Sequence, residues 1–204
     1  MHDDLLDRLR ARAWHVDASR RTDSWPPETP FQCASRQTVR DAEASLGFAL
    51  PGPLVRIYTE VANGGFGPGG GIFGVDGGHT NEHGATLLEL HHEFADRSDP
   101  NWRWPERVLP ICTWGDAIFS CVDCGSPEAA IVTANHTALL PGQPMSSVLA
   151  RTHTSLELWL EDWLNGVKIW DLMFEDDLEN PRTMTNPFTR VKTTIYPVKV
   201  RRWV

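Results

Sequence analysis

Residues 35–70, SRQTVRDAEASLGFALPGPLVRIYTEVANGGFGPGG, decide the fold of this chain. Ser35 can cap a helix whose apolar positions are Val39, Ala42 and Leu46, at i, i+3 and i+7. Gly47 follows, where a helix commonly ends on a left-handed residue that glycine adopts without a Cβ clash. Leu50-Pro51 reopens the chain, and either Pro51 or Pro53 suits a first helical turn, where a missing N–H costs little. Leu54, Ile57, Tyr58 and Val61 form a second stripe, and Asn63-Gly64-Gly65 ends it. The pattern predicts a helical hairpin over residues 36–62 that docks on a sheet. None of these residues is chemically reactive.

Outward from this hairpin the chain changes character several times. Residues 1–18 can form an amphipathic helix through Leu5, Leu6, Leu9 and Ala13-Trp14, joined to the rest by the Pro-rich link of residues 25–30. The segment Gly64–Gly84 carries ten glycines around one short strand, Ile72–Val75. A helix is expected over Leu87–Phe94. Strands are expected over Val108–Thr113, Ala117–Asp123 and Ala129–Asn135, with turns at Gly115-Asp116 and Gly125-Ser126-Pro127. Short turns between them read as an antiparallel meander. A last helix runs through Leu156, Trp159, Leu160, Trp163 and Leu164, with Thr154 and Glu157 at capping-box spacing and Asn165-Gly166 as its stop. Helices flanking a run of strands predict an α+β fold, a mixed or mainly antiparallel sheet with helices packed on it. Leu46, Leu54, Tyr58, Ile111, Phe119, Val122, Ile131, Leu156, Trp159 and Trp163 should lie in or beside its core.

Glu43, Leu46-Gly47, Leu50-Pro51, Tyr58 and Asn63-Gly64-Gly65 together resemble the signature of the SUKH superfamily, the Smi–Knr family. That family includes a yeast cell-wall synthesis regulator and many bacterial immunity proteins. Trp104-Pro105, Leu109-Pro110-Ile111, Trp114-Gly115, the run Ser120–Asp123 and the helix Leu156–Leu164 are similar to it in the same order, so the likeness spans roughly residues 35–165. The resemblance implies the same α+β fold and a protein-binding role. On this reading residues 1–30 are an N-terminal helix and link, 31–175 a SUKH-like domain, and 176–204 an extension that packs on it or pairs with it.

Composition narrows the function classes. The net charge is −8, which opposes phosphate contacts with nucleic acid and favours basic protein surfaces. No apolar run approaches a membrane span, and the charged start MHDDLLDRLRARAW does not have the form of a signal peptide. Four cysteines in 204 residues read as reduced thiols of a cytoplasmic protein.

Catalytic patterns are sparse. Cys121 and Cys124 have the gap of a zinc or redox pair, which keeps a metal- or thiol-dependent enzyme as an alternative. Zinc would need two further ligands, and a redox pair normally opens a helix, whereas Cys121 falls in a predicted strand. His79, His83, His91 and His92 read as loop and surface histidines. Asp116 reads as a turn residue, although a cleft beside Trp114 could use its carboxylate. The glycine run 67–71 lacks the Lys-Ser/Thr of a phosphate loop. No cofactor and no metal is expected.

The remaining signal is charge. Residues 155–180 hold eight acids against Lys168 alone, and residues 190–204 hold five bases and no acid. One reading has the acids solvating a helix face while the basic tail pairs with them as an edge strand. The other is an acidic docking face for a basic partner, which the immunity resemblance would imply for a toxin such as a nuclease. The candidate contacts are Glu161, Asp162, Asp171, Glu175, Asp176 and Asp177, followed by the Gly-rich loop 67–78 and by Trp102 and Trp104, which share one face if extended and for which burial against the core is an equal alternative. The expected function is non-enzymatic protein binding, an immunity protein against a cognate toxin, with a regulatory scaffold as the other protein-binding reading.

Overall fold

The computed structural model describes residues 1–14, 31–95, 103–140, 142–176, 178–179, 181–185, 189–195 and 198–201. Helix α1 is Asp3–Trp14 and α2 is Arg36–Leu46. Ser35 Oγ accepts from the Thr38 N–H at 3.0 Å and so caps α2. The helix closes at Gly47, whose N–H donates to Glu43 O at 2.9 Å. Helix α3, Gly52–Arg56, starts after Pro51 and passes into a π-helical turn at Ile57–Val61. The expected second helix is thus not uniformly α. The wider turn sets Ile57, Tyr58 and Val61 all into the core, with the Tyr58 hydroxyl donating to Phe73 O at 2.8 Å.

Helix α4 is Leu87–Phe94, opened by a capping box between Thr86 and Glu89. The sheet is an antiparallel meander of four strands in sequence order: β1 (Val108–Gly115), β2 (Ile118–Asp123), β3 (Ile131–Asn135) and β4 (Leu149–His153). Gly115 pairs with Ile118 across a two-residue turn whose central residues, Asp116 and Ala117, have φ of 47° and 57°. Positive φ at both central positions is the type I′ requirement that matches strand twist. The fourth strand adds to the three that the sequence pattern predicts, and Ile72–Val75 makes only an isolated bridge, Ile72 to Cys112. Glycines around that segment interrupt the pairing that a longer strand would need.

Helix α5 is Leu156–Leu164 and α6 is Ile169–Met173; β5 (Phe174–Asp176) follows at once. The cap of α5 is Ser155, whose Oγ accepts from Leu158 N at 3.1 Å, and not Thr154. Glu157 is therefore no capping-box partner, and its carboxylate lies against the Met1 amino group. Strands β6 (Arg182–Thr185) and β7 (Lys192–Ile195) form a hairpin, and β8 (Val198–Val200) returns antiparallel to β5. The Pro-rich link of residues 25–30 lies outside the described residues.

One apolar core joins these elements. Leu5, Leu6 and Leu9 of α1, Leu54 and Tyr58, Ile111 of β1, Val122 of β2, Ile131 of β3, and Leu156 and Trp159 of α5 are all buried in it, while Leu46 and Trp163 pack on its margin. The sheet is covered on both faces. Nearly all of β1 and β2 is buried, which is why these strands read as runs and not as alternation. On one face the buried hydroxyls of Ser120 and Thr133, opposite each other across β2 and β3, meet the Met173 sulfur of α6 at 3.7 and 3.3 Å.

Burial also governs the histidines. His79 and His91 are core residues at 3% and 6% exposure, which corrects the surface assignment for both; His83 and His92 are exposed. Burial lowers the pKa of His79, His91 and His153, and takes His136 down to about 4. In the unfolded chain each would titrate near 6.5. Between these values the unfolded state binds more protons, so stability is complete above about pH 6.5 and declines as pH falls toward 4. Urea midpoints measured from pH 7.5 to 4.5 should decrease steadily, and His136→Leu should flatten the slope. An unchanged midpoint down to pH 5 would contradict this account.

Candidate functional site

The family-like residues of the hairpin turn out to be clamps. Glu43 Oε1 accepts from Leu50 N at 2.9 Å and ties α2 to the start of α3. Asn63, buried at 3%, holds the Gly-rich loop from inside. Its Oδ1 accepts from Val75 N at 2.9 Å, its Nδ2 donates to Asp76 O at 3.1 Å, and its carbonyl accepts from His79 N at 3.0 Å. The loop is then laid along β1: Phe73 N donates to Ile111 O and Gly70 N to Thr113 O, both at 2.8 Å.

A groove of about 300 Å³ opens where the loop meets the end of β1, lined by Gly69, Gly70, Glu82, Thr113, Trp114 and Gly115. Gly69 presses so close that a Cβ there would lie 2.6 Å from Thr113 O and 3.1 Å from the Trp114 ring. The Trp114 indole is fixed. Its Nε1–H donates to Ser120 Oγ at 2.9 Å, and its ring sits 5.9 Å from that of Trp170 on α6, which in turn lies 4.4 Å from Phe174. The groove wall and the acidic C-terminal segment therefore share an edge, because Asp171 follows Trp170 and is exposed.

The acids do not behave alike. Asp171, Glu175 and Asp176 are exposed, whereas Glu161 and Asp162 on α5 are half-buried. Asp162 Oδ2 lies 3.4 Å from the buried His153 ring. Glu175 faces Lys199 across β5 and β8, with 3.5 Å between carboxylate and ammonium. The basic tail thus does pair with part of the acidic segment as an edge strand. Trp104 is 7% exposed and donates its indole N–H to Val108 O at 2.6 Å, packed against Phe94 and His136. It belongs to the core, the buried alternative of the two readings, which corrects its placement among the partner contacts. Trp102 and Asp177 lie outside the described residues.

Cys121 is fully buried in β2 and Cys124 half-buried in the following turn. Burial raises both thiols, Cys124 to about 12, opposite to the shift that activates a thiolate. Among the described residues no three His, Cys, Asp or Glu side chains are grouped to hold a metal ion, and no helix is long and apolar enough to cross a membrane.

The SMI1/KNR4 family (SUKH-1) model matches residues 33–150, more than half of the chain. This chain belongs to the SMI1/KNR4 family. No curated protein matches it. The SMI1/KNR4 match takes in the hairpin, the Gly-rich loop, β1–β3 and the start of β4. It leaves out α1, α5, α6 and β5–β8, so the acidic segment and Trp170 lie beyond the matched residues. The groove is accordingly composite, with walls inside the SMI1/KNR4 match and an acidic rim outside it. Sequence reasoning reaches the Gly-rich loop and the cleft beside Trp114, but not Glu82 or Trp170. The only signal for Trp170 is a bulky aromatic beside an acid, Asp171, in the apolar-rich run of residues 167–174.

Proposed function

We propose that this chain is a non-catalytic protein-binding domain of the immunity type, acting in the cytosol to neutralise a basic toxin domain. The observation that carries the reading is the edge shared by Trp114, Trp170 and the exposed Asp171, with the exposed Asp176 five residues on, on a chain of net charge −8. Fixed aromatic surface beside exposed charge supplies what a protein interface needs: an anchor that loses little entropy and a field that steers the partner. SMI1/KNR4 membership fits an immunity or a regulatory role, and the acidic rim favours a basic partner in either. The raised thiols give no support to the Cys121/Cys124 enzyme reading.

The test is co-expression with a toxic polypeptide encoded beside this chain. Relief of growth arrest and a stoichiometric complex are the expected results; a complex without protection would move the reading to a regulatory scaffold. Within such a complex, Asp171→Lys and Asp176→Lys together should slow association several-fold at low salt and flatten its salt dependence. Melting should change little, since exposed substitutions usually cost under about 0.5 kcal/mol each. Unaltered association kinetics would put the interface elsewhere. Asp162 and Glu175 are left out of this set because their carboxylates lie against His153 and Lys199.

A further inference from the structure

We propose that the groove bounded by Gly70, Glu82, Thr113 and Trp114 receives one arginine side chain of the protein partner, its guanidinium laid on the exposed part of the Trp114 indole and paired with Glu82. The proposal rests on the protein-binding reading above and specifies what the partner must present. Glu82 is the one ionisable side chain among the described lining residues, so the groove complements a positive charge. The other walls are an indole, a threonine and glycine backbone, which suit the flat, weakly hydrated face of a guanidinium better than a compact ammonium. Two of the polar backbone atoms near the groove are already engaged. Gly70 N donates to Thr113 O at 2.8 Å, and Gly70 O lies 3.0 Å from His79 Nε2.

Preorganisation supports the same occupant. The Trp114 ring is held by Ser120 at its nitrogen and packs beside Trp170, so contact with it freezes no further rotor of the tryptophan. The Glu82 side chain is half exposed, its carboxylate 3.9 Å from His83, and needs no rupture of a buried pair to turn to a cation. Asp171 and Asp176 extend the negative field around the Trp170 side of the groove. Among the described residues no lysine or arginine lines it, which disfavours an anionic occupant.

The probe is the capped peptide Ac-Gly-Arg-Gly-NH2, with its citrulline and lysine counterparts, titrated into nitrogen-15-labelled full-length chain. The Trp114 indole resonance is assigned by its loss in Trp114→Phe. The arginine peptide should shift that resonance saturably in the millimolar range. The citrulline peptide should bind about fivefold more weakly, and Glu82→Gln should weaken the arginine peptide about threefold. Equal binding of citrulline, no effect of Glu82→Gln, or shifts at other tryptophans without Trp114 would overturn the assignment. Equal binding of lysine would overturn the choice of guanidinium. A chain that captures and neutralises its toxin yet ignores the arginine peptide keeps the function and loses this groove assignment. A chain that takes the peptide as described but protects against no toxin keeps the groove chemistry and loses the immunity reading.

Discussion

Gly64→Ala is expected to destabilise the protein by about 2–5 kcal/mol, enough to unfold a domain of ordinary stability. Gly64 sits at φ +83°, and a Cβ there would lie 2.4 Å from Ile72 O and 2.8 Å from Gly74 N. Both neighbours are backbone, so no side chain can swing aside. Relief would require the Gly-rich loop to lift, and that would strip Asn63 of its bonds to Val75 and Asp76. Gly77→Ala separates the two contributions. Gly77 has φ +71°, and a methyl group there would meet nothing within 4 Å, so the substitution should cost only the backbone strain, about 1–2 kcal/mol. Urea midpoints of the two variants measure the difference. Equal losses would mean that the loop moves without resistance and that Asn63 does not anchor it.

Trp159→Ala should cost about 3–5 kcal/mol, while Trp159→Phe should cost far less. The Trp159 side chain is fully buried in α5, against the core that α1, α3 and the sheet share. Truncation removes the largest buried side chain of the helix and leaves a cavity that close-packed neighbours cannot fill. The indole Nε1–H has no hydrogen-bond partner among the described residues. Phenylalanine therefore gives up ring area but also removes a buried, unpaired donor, and the two effects oppose each other. A Phe variant as unstable as the Ala variant would point to a hydrogen bond at Nε1. Because α5 lies outside the residues of the family match, a large loss from Trp159→Ala would also establish that the core depends on chain beyond that match.

Local signals carried much of the architecture. The Ser35 cap, the Gly47 stop, the helix Leu87–Phe94 and the first three strands all follow from residues within a few positions of one another. Where local reading fails, distant contacts override local preference. The π-helical turn at Ile57–Val61 lets Tyr58 reach Phe73, fifteen residues on. β4 shows no apolar alternation because this edge strand buries polar Thr152 and His153 and leaves Leu149 and Ala150 only partly covered. His79 and His91 look like solvated loop residues in sequence, yet the loop is folded inward by Asn63 and α4 turns His91 into the core.

Sequence by itself determined the family and the order of its elements, because Glu43, Tyr58, Asn63 and the glycines are the very groups that clamp the hairpin and loop. It also determined the sign of the charge on the C-terminal segment. Only the tertiary structure decided which acids are free to meet a partner, withdrawing Asp162 to His153 and Glu175 toward Lys199. The groove was decided there too. Its walls come from residues 69–70, 82 and 113–115, with Trp170 beside them, and such separated segments meet only when the loop lies along β1 and α6 closes over the sheet.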